Sequence, residues 1–411
     1  MGTCETRWKA WEGDEILPLD FPSNWTIESF DIGTVAPMTT AQLQVSFDHP
    51  VGVGPIEDRF LKRGRVCIAV EDLTRPLYIG HVLEVLTERL LRLGFREEDI
   101  RIMVSVGAHH PMLRPEQLRK FGERIVSRFA IENHHPYVDL KDCGISQRGT
   151  PVKINRTFLE ADYRVLLGSV LPHPYTGFGG GAKLLIPGLA GMETIEATHR
   201  AAVGGVSGGL DNTDTNQVRA EIEDLAQKIG IDWSINLIAG RNRNLVGCVA
   251  GDVVKAHRQA VQIARALYAT SPPSQPFDVV VLNAYPKDTE MLQIGNALNV
   301  VKSGPGADRL IGPEGSVVIL GACSHGRGYH SLHQPGGSVY RPPVQRVQQI
   351  GKRDILFLSA GANIHDFHMS FWQGYRFYTQ WSELRHALQT KHGDAARAAV
   401  YHAAPLQLLR S

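Results

Sequence analysis

Three short segments of the sequence carry side chains that could bind and deprotonate a small acidic molecule. They are EDLTRP (71–76), GAHHP (107–111) and LPHP (171–174). Histidine is the side chain that most often serves as a general base, so His109 and His173 could act on two sides of one substrate. Arg75 offers a planar fork of donors for a carboxylate or a phosphate. Each histidine taken alone is also compatible with a structural role at a strand end.

A fourth segment, HPYTGFGGGAKLLIPG (173–188), places Lys183 after a glycine-rich run. It is not a P-loop, because Ala182 precedes the lysine and Leu184 follows it, where a P-loop has glycine and Ser or Thr. Nor is it a Rossmann fingerprint, because the run follows a histidine loop and no acidic residue ends a second strand at the usual distance. A glycine backbone can approach a ligand closely, and the apolar residues after Lys183 could desolvate its amine and make it a nucleophile. A surface lysine in a flexible loop is the alternative.

The elements that must hold these segments alternate between apolar strands and amphipathic helices. A strand pattern over 65–72 is followed by a helical pattern over 81–94, and the alternation continues through 99–110, 114–126 and 163–174. Such alternation predicts an α/β fold with parallel sheets and helices on both faces. Ligands of open α/β sheets bind outside the carboxyl ends of the strands. The residues that follow these strands would therefore share one crevice if the strands share one sheet.

Chain length and composition predict two α/β domains. A chain of 411 residues is long enough for two or three domains of roughly 100–200 residues each. The segment YATSPPSQPFD (268–278) has the composition of a linker. The predicted domains are 1–268, which holds the four segments above, and 269–411, which contributes substrate contacts. We expect mainly parallel sheets and an active site in the cleft between the domains.

The overall composition disfavours several classes of partner. Lys and Arg number 43 against 42 Asp and Glu, so nothing in the net charge favours nucleic acid or an anionic membrane surface. The five cysteines are scattered singly, which suits a reducing compartment. No apolar run approaches the roughly 18 residues of a membrane span. These features predict a cytoplasmic protein with no nucleic-acid or membrane partner.

A larger set of motifs resembles a known enzyme family. DLTRP (72–76), GAHHP (107–111), LPHPYTGFGGGAKLLIPGLAGMETIEATH (171–199) and YPKDTEMLQ (285–293) together look like the nickel-dependent lactate racemase family. Members of that family racemise or epimerise 2-hydroxy acids. The resemblance runs from about residue 15 to residue 395. It implies that the chain is a racemase or epimerase acting on a small 2-hydroxy acid.

The resemblance also implies a cofactor, the nickel-pincer nucleotide, which is pyridinium-3-thioamide-5-thiocarboxylic acid mononucleotide. Lys183 matches the lysine that binds it covalently, His199 matches the protein ligand of its nickel, and the enzymes that make the cofactor become partners. Imidazole suits nickel. Without the resemblance, His199 is a lone helical histidine with no second ligand at metal-site spacing. Further implied cofactor contacts are Asp72, Thr74, Gly179, Gly180 and Gly181.

The reaction implied by the family is inversion of C2 by hydride abstraction and return. His109 or His173 takes the hydroxyl proton while the Cα hydride moves to the cofactor, which leaves a planar 2-keto acid. Return of the hydride to the other face inverts the centre. Arg75 would bind the substrate carboxylate, and Gln293 would join the substrate contacts.

Two departures from the family pattern concern the substrate. Lactate racemases have a lysine three residues after the position of Gln293, and here that position is Asn296. They have a tryptophan where a count without gaps places Arg341. A buried arginine needs an anion, so these departures predict a second carboxylate on the substrate, with malate first and 2-hydroxyglutarate next.

Other functions remain open from the sequence. One is a lactate or sugar-acid racemase or epimerase of the same family. Another is an enzyme that uses Lys183 as a Schiff-base nucleophile without nickel. A non-catalytic relative would have lost the histidines, all of which are present.

Overall fold

Strands and helices alternate along the chain as the sequence pattern predicts. The computed structural model describes residues 2–206, 209–302, 307–340, 353–371 and 374–410. The strands are β1 (Gly2–Arg7), β2 (Ile16–Phe21), β3 (Thr26–Phe30), β4 (Val66–Val70), β5 (Ile100–Val104), β6 (Ala130–Asn133), β7 (Leu140–Ile145), β8 (Pro151–Asn155), β9 (Tyr163–Ser169), β10 (Pro172–His173), β11 (Gly177–Phe178), β12 (Trp233–Ala239), β13 (Leu245–Gly251), β14 (Ala269–Thr270), β15 (Phe277–Asn283), β16 (Ile311–Leu320), β17 (Asp354–Leu358), β18 (Arg376–Tyr378), β19 (Arg397–Tyr401) and β20 (Leu408–Leu409).

The helices include both long amphipathic ones and single turns. They are α1 (Thr40–Asp48), α2 (Ile56–Arg59), α3 (Gly80–Arg92), α4 (Arg114–Phe121), α5 (Glu123–Arg128), α6 (Arg156–Leu159), α7 (Met192–Ala201), α8 (Gln217–Ile229), α9 (Lys255–Tyr268), α10 (Met291–Ile294), α11 (Asn299–Lys302), α12 (Ala307–Leu310), α13 (Ile364–Ser370) and α14 (Trp381–His392). Turns of 3₁₀ helix cover Glu97–Asp99, Gly181–Leu184, Gly295–Leu298 and Ser331–His333, and a π-helical turn covers Ala202–Val206. Within the described ranges, no helix has the length and apolar character needed to cross a membrane.

The chain divides into two units. One, the central unit, comprises Val35–Ala266 and His330–Val339, and the other, the terminal unit, comprises Met1–Thr34, Leu267–Tyr329 and Tyr340–Ser411. The boundary predicted at residue 268 lies beside this division. Residues 1–34, which the prediction assigned to the first domain, belong with the terminal unit because β3 pairs with β19. Half-exposed β3 has no strong apolar alternation from which this pairing could be read.

The central unit is built on a six-stranded sheet of order β13-β12-β9-β4-β5-β6. All neighbouring strands are parallel except β12 and β13, which are antiparallel. Every residue of β4 is buried, as expected for a central strand covered on both faces. Helix α3 buries the apolar stripe that includes Val82, Leu86 and Leu90. The carboxyl ends of β9, β4 and β5 are therefore neighbours at one edge of the sheet.

The terminal unit is built on a second six-stranded sheet, of order β18-β17-β16-β15-β19-β3. All of its neighbouring strands are parallel. Alternate residues of β15 enter two apolar clusters, with Val280 and Leu282 in one and Val279 and Val281 in the other. The sheet is thus covered on both faces. The predicted α/β class with mainly parallel sheets is confirmed.

Candidate active site

The loop after β4 carries a hydrogen-bonded chain of three predicted site residues. Arg75 Nη1 donates to Thr74 Oγ1 at 2.8 Å. Thr74 donates to Asp72 Oδ1 from its hydroxyl at 2.5 Å and from its backbone N–H at 3.0 Å. Asp72 and Thr74 are buried, and Arg75 is half-buried. The Asp72 side chain therefore closes an Asx turn that leads from the strand end to Arg75.

His109 follows β5, and its ring is held by Asp72. The distance from His109 Nδ1 to Asp72 Oδ2 is 2.5 Å. Burial alone would raise the pKa of Asp72, but the contact with His109, aided by Arg75 and Thr74, outweighs burial and lowers that pKa well below its usual value. An ionised carboxylate only accepts hydrogen bonds, so His109 Nδ1 donates and Nε2 carries the lone pair. This is the arrangement of a general base whose tautomer is fixed by a carboxylate.

His173 follows β9 and lies in the small hairpin formed by β10 and β11. The backbone N–H of Tyr175 donates to His173 Nδ1 at 3.2 Å. The hydroxyl of Thr176 lies 3.3 Å from the same nitrogen and donates to the carbonyl of Phe178 at 2.8 Å. His173 Nδ1 is therefore an acceptor, and the neutral ring carries its proton on Nε2. The two predicted bases thus hold opposite tautomers.

A buried ion pair supports the strand ends. Lys120 Nζ donates to Glu71 Oε1 at 2.8 Å and to the Arg75 carbonyl at 2.7 Å. Glu71 also accepts from the backbone N–H and the hydroxyl of Ser169 at the end of β9, at 2.5 and 2.9 Å. Burial lowers the pKa of Lys120, and Glu71 opposes that shift. The pair ties the end of β4 to the end of β9, and sequence reasoning missed it because Lys120 lies in a polar helical stretch.

Two buried side chains hold the glycine-rich loop. Arg219, fully buried on α8, donates to the carbonyls of Thr176, Phe178 and Gly180. His257 Nε2 donates to the Gly179 carbonyl at 2.8 Å. Gly181 has a φ of +55°, and a Cβ there would lie 3.0 Å from the ring of His257. Hydrogen bonds from Arg219 and His257 therefore fix the backbone of the loop. Glycine at position 181 leaves room for the His257 ring.

Lys183 and His199 lie after this loop, in the 3₁₀ turn Gly181–Leu184 and in α7. His199 Nδ1 is 2.8 Å from the carbonyl oxygen of Ile195, so Nδ1 donates and Nε2 carries the lone pair. Burial lowers the pKa of His199 to about 3, and the positive charge of Lys183 acts in the same direction. A neutral imidazole with its lone pair on Nε2 is the form that ligates a metal.

A series of aromatic ring contacts runs through the site. The ring centroids of His173 and Tyr175 are 5.8 Å apart, and those of Tyr175 and His199 are 5.8 Å apart. The series continues from His199 to His330 at 5.6 Å and from His330 to His109 at 5.2 Å. The predicted metal ligand thus lies between the two predicted bases, with one ring separating it from each.

Sequence reasoning missed His330 and His333, which reach the site from far along the chain. His330 forms an isolated antiparallel bridge with His109, and the Ser331 N–H donates to the Ala108 carbonyl at 2.9 Å. The ring centroids of His330 and His333 are 4.6 Å apart. The only signal in the sequence was a pair of histidines, three residues apart, in the glycine-rich stretch GYHSLHQPGG (328–337).

The remaining predicted site residues fall elsewhere. Gln293 lies in α10 of the terminal unit. Asn296 Nδ2 donates to the Gln293 carbonyl at 2.9 Å and to Gln293 Oε1 at 3.2 Å. Arg341 lies outside the described residues. The central unit brings together the others: Asp72, Thr74, Arg75, His109, His173, Gly179, Gly180, Gly181, Lys183 and His199. Their roles toward a cofactor or a substrate stay predictions, and both Asp72 oxygens already accept hydrogen bonds within the protein.

The side chains of the site limit how many ligands the protein itself could give to the implied nickel cofactor. In the part of the chain that the structure describes, no group of three or more His, Cys, Asp and Glu side chains could hold a metal ion. A metal held by His199 alone would take its other donors from a bound group. His199 offers one lone pair beside the charge of Lys183. These residues fit a lysine-tethered group that brings its own metal donors and needs one imidazole.

Comparisons with known proteins relate this chain to lactate racemases. Residues 13–208 match the lactate racemase N-terminal domain. The lactate racemase of Lactiplantibacillus plantarum is 27% identical over 299 residues, which cover 71% of this chain and 68% of that protein. The lactate racemase of Thermoanaerobacterium thermosaccharolyticum is 24% identical over 298 residues, which cover 70% and 67%.

Solved structures share the fold. The lactate racemase apoprotein from T. thermosaccharolyticum matches with a TM-score of 0.77 at 19% identity, over 100% of both chains. A structural-genomics protein from Thermotoga maritima matches with a TM-score of 0.69 at 17% identity, over 92% of this chain and 99% of that one. The domain match, the two relatives and the shared fold support a racemase of the lactate racemase family.

Proposed function

We propose that this chain inverts the C2 centre of a 2-hydroxy acid by moving a hydride and a proton. The observation that carries the proposal is the series of ring contacts in the central unit. It runs from His109 to His173 and has His199, close to the charge of Lys183, in its middle. Inversion by hydride transfer needs a proton acceptor for each enantiomer and one hydride acceptor that both share. Two bases that flank one metal ligand meet that need.

The cofactor proposed for this site is the nickel-pincer nucleotide. Lys183 would hold it covalently, and Nε2 of His199 would hold its nickel. When bound, this group supplies a reversible hydride acceptor for C2. Thr74 and the backbone of Gly179–Gly181 are proposed as its further contacts, and the enzymes that make it are the proposed partners.

The proton steps are assigned to the two histidines. Nε2 of His109 accepts the hydroxyl proton of one enantiomer, because Asp72 holds the Nδ1 proton and stabilises the imidazolium that forms. His173 serves the other enantiomer. To accept a proton on Nε2, His173 must first shift its ring proton from Nε2 to Nδ1, which breaks the hydrogen bond from the Tyr175 N–H to Nδ1. Arg75 binds the substrate carboxylate with its guanidinium fork.

A 2-hydroxy dicarboxylate is the proposed substrate, with malate before 2-hydroxyglutarate. The relatives are lactate racemases by name. Asn296 stands where the family pattern has a lysine, and Arg341 stands where it has a tryptophan. These changes favour a second carboxylate over a methyl group. Replacement of Arg341 with Ala should raise the KM for malate far more than that for lactate, and equal effects would remove malate as the preferred substrate. Lactate and sugar acids of the same class are the alternatives.

The test of the proposed reaction is a panel of single enantiomers followed by chiral chromatography. The chain, produced together with the cofactor-making enzymes, is incubated with D- or L-malate, lactate, 2-hydroxyglutarate and glycerate. We expect each accepted acid to approach a racemic mixture from both sides. His109→Gln and His173→Gln should lose turnover and keep the Lys183 adduct. His135→Gln, at an exposed histidine, is the matched control.

A Schiff-base enzyme gives a different result in the same samples. It predicts that borohydride traps a 2-keto acid on Lys183 and that turnover needs no nickel. Trapping of this kind, with activity unaffected by nickel removal, would contradict the proposed function.

A further inference from the structure

The segment 330–339 is distant in sequence from the other site residues and brings His330 beside His109 and His199 in the central unit. Leu332 is buried at 2% exposure in the apolar cluster of that unit and anchors the segment 330–339. The His333 N–H donates to the His330 carbonyl at 2.9 Å and closes the 3₁₀ turn. Together with the bridge between His330 and His109, these contacts fix the position of the His330 ring.

The ring of His330 carries a buried nitrogen that needs a partner. His330 Nδ1 is buried and makes no hydrogen bond to any residue that the structure describes. A neutral imidazole has one N–H donor and one lone pair, so either tautomer leaves Nδ1 able to make one hydrogen bond. A buried polar atom left without a partner is costly, and sites built to bond a polar group reject ligands that lack it.

His330 Nδ1 lies near the proposed position of the substrate C2. The His330 ring contacts both the ring of His109, which is the proposed base for the C2 hydroxyl, and the ring of His199, which is the proposed metal ligand. A substrate whose C2 lies between these two groups therefore presents a substituent within reach of His330. A methyl group there forms no hydrogen bond with the nitrogen. A hydroxyl can donate or accept a hydrogen bond, and a carboxylate oxygen can accept one.

We propose that His330 is a specificity-determining residue that hydrogen-bonds an oxygen atom carried by the C2 substituent of the substrate. This inference rests on the proposed function and narrows it to 2-hydroxy acids with a polar substituent. The oxygen belongs to a hydroxyl in glycerate and to a carboxylate in malate. Lactate, whose substituent is a methyl group, is disfavoured by about 10- to 100-fold in binding.

The experiment compares substrates that differ only in the C2 substituent, which is a methyl group in lactate, a hydroxymethyl group in glycerate and a carboxymethyl group in malate. Racemic lactate, glycerate and malate are titrated calorimetrically into the wild type, His330→Phe and His330→Gln. Racemic ligands are already at equilibrium, so turnover releases no net heat and the titration reports binding. His330→Phe keeps an aromatic ring and removes both nitrogens, and His330→Gln keeps a polar group. His135→Phe is the control, and thermal melting checks that each variant folds.

The expected result is a wild-type preference of at least about 10-fold for glycerate or malate over lactate. His330→Phe should bring that ratio near one by weakening the polar ligands, His330→Gln should keep part of it, and nickel content and the Lys183 adduct should not change. Stronger binding of malate than of glycerate assigns the oxygen to a carboxylate, and the reverse order assigns it to a hydroxyl.

Three results would overturn the inference. They are a wild type that binds lactate as well as glycerate and malate, a ratio that His330→Phe leaves unchanged, and loss of nickel in His330→Phe, which would make His330 a second metal ligand. The titrations are run on cofactor-loaded and unloaded chain, so the ratio is measured even if turnover is absent. Absence of turnover with every acid contradicts the proposed function, whereas turnover with a ratio insensitive to His330 contradicts this inference alone.

Discussion

Replacement of Asp72 with Asn should reverse the tautomer of His109. Oδ1 of residue 72 accepts two hydrogen bonds from Thr74, one from its hydroxyl and one from its backbone N–H. These two donors hold the oxygen of an asparagine in the same place and turn its NH₂ group toward His109. The NH₂ group donates, so His109 Nδ1 must accept and the ring proton moves to Nε2. A histidine with its proton on Nε2 cannot take a proton there from the substrate.

The size of the effect has a lower and an upper bound. Loss of a hydrogen bond to a charged group costs about 1.5–3 kcal/mol, which is about 10- to 150-fold in rate. Loss of tautomer control in a carboxylate–histidine pair costs up to about 10⁴-fold. We expect kcat of Asp72→Asn to fall by about 10- to 10⁴-fold, measured as the initial rate of inversion from each enantiomer of the accepted acid.

The control is the combination of Asp72→Asn with His109→Gln. If Asp72 acts through His109, the double variant should be no slower than His109→Gln alone. Nickel content and the mass of the Lys183 adduct should match the wild type in all three variants. A loss of less than about 3-fold in Asp72→Asn, against the bounds above, or a full additional loss in the double variant, would refute the assigned role of Asp72.

Three further predictions concern stability and metal binding. Lys120→Met leaves Glu71 buried without its cation and should lower the free energy of unfolding by about 3–5 kcal/mol in urea titrations, with a smaller loss when Glu71→Gln is added; equal losses would contradict the pairing. Burial lowers the pKa of His134 to about 4 in the folded protein, whereas the pKa of a histidine in the unfolded chain is near 6.5. Between about pH 4 and pH 6.5 this side chain therefore binds a proton more readily in the unfolded chain. Stability should therefore fall as pH drops from about 6.5 to about 4, more steeply for the wild type than for His134→Gln, and parallel curves would contradict it. His199→Ala should lose nickel but keep the covalent adduct, by metal analysis and intact mass, and retained nickel would exclude His199 as the ligand.

The sequence was informative about the central unit where strands end in polar residues. The β-branched runs predicted β4, β5 and β9, and the structure makes them neighbours in one parallel sheet. Parallel strands bring their carboxyl ends to one edge, so Arg75, His109 and His173 could be grouped without coordinates. The glycine run and Lys183 were recognised as unusual from composition alone. Their proposed roles came from the family resemblance, because a single lysine has no diagnostic spacing.

The rest depends on contacts that local patterns do not encode. Strand β3 is half-exposed, so no apolar alternation announced that the N-terminal residues complete the sheet of the terminal unit. Arg219 lies buried and donates to three carbonyls of the glycine-rich loop, and no local sequence pattern indicates these contacts. His330 returns to the site from more than a hundred residues beyond His199. Long-range return of this kind leaves only a weak signal in composition.

The most direct test of the central claim is the intact mass of the chain together with its nickel content. The protein is produced in a host that also carries the enzymes that make the nickel-pincer nucleotide, with Lys183→Arg as the matched control. We expect a covalent adduct that maps to Lys183 and about one nickel per chain, and neither of these in the control. An unmodified and nickel-free Lys183 under these conditions would contradict the account and favour a Schiff-base lysine.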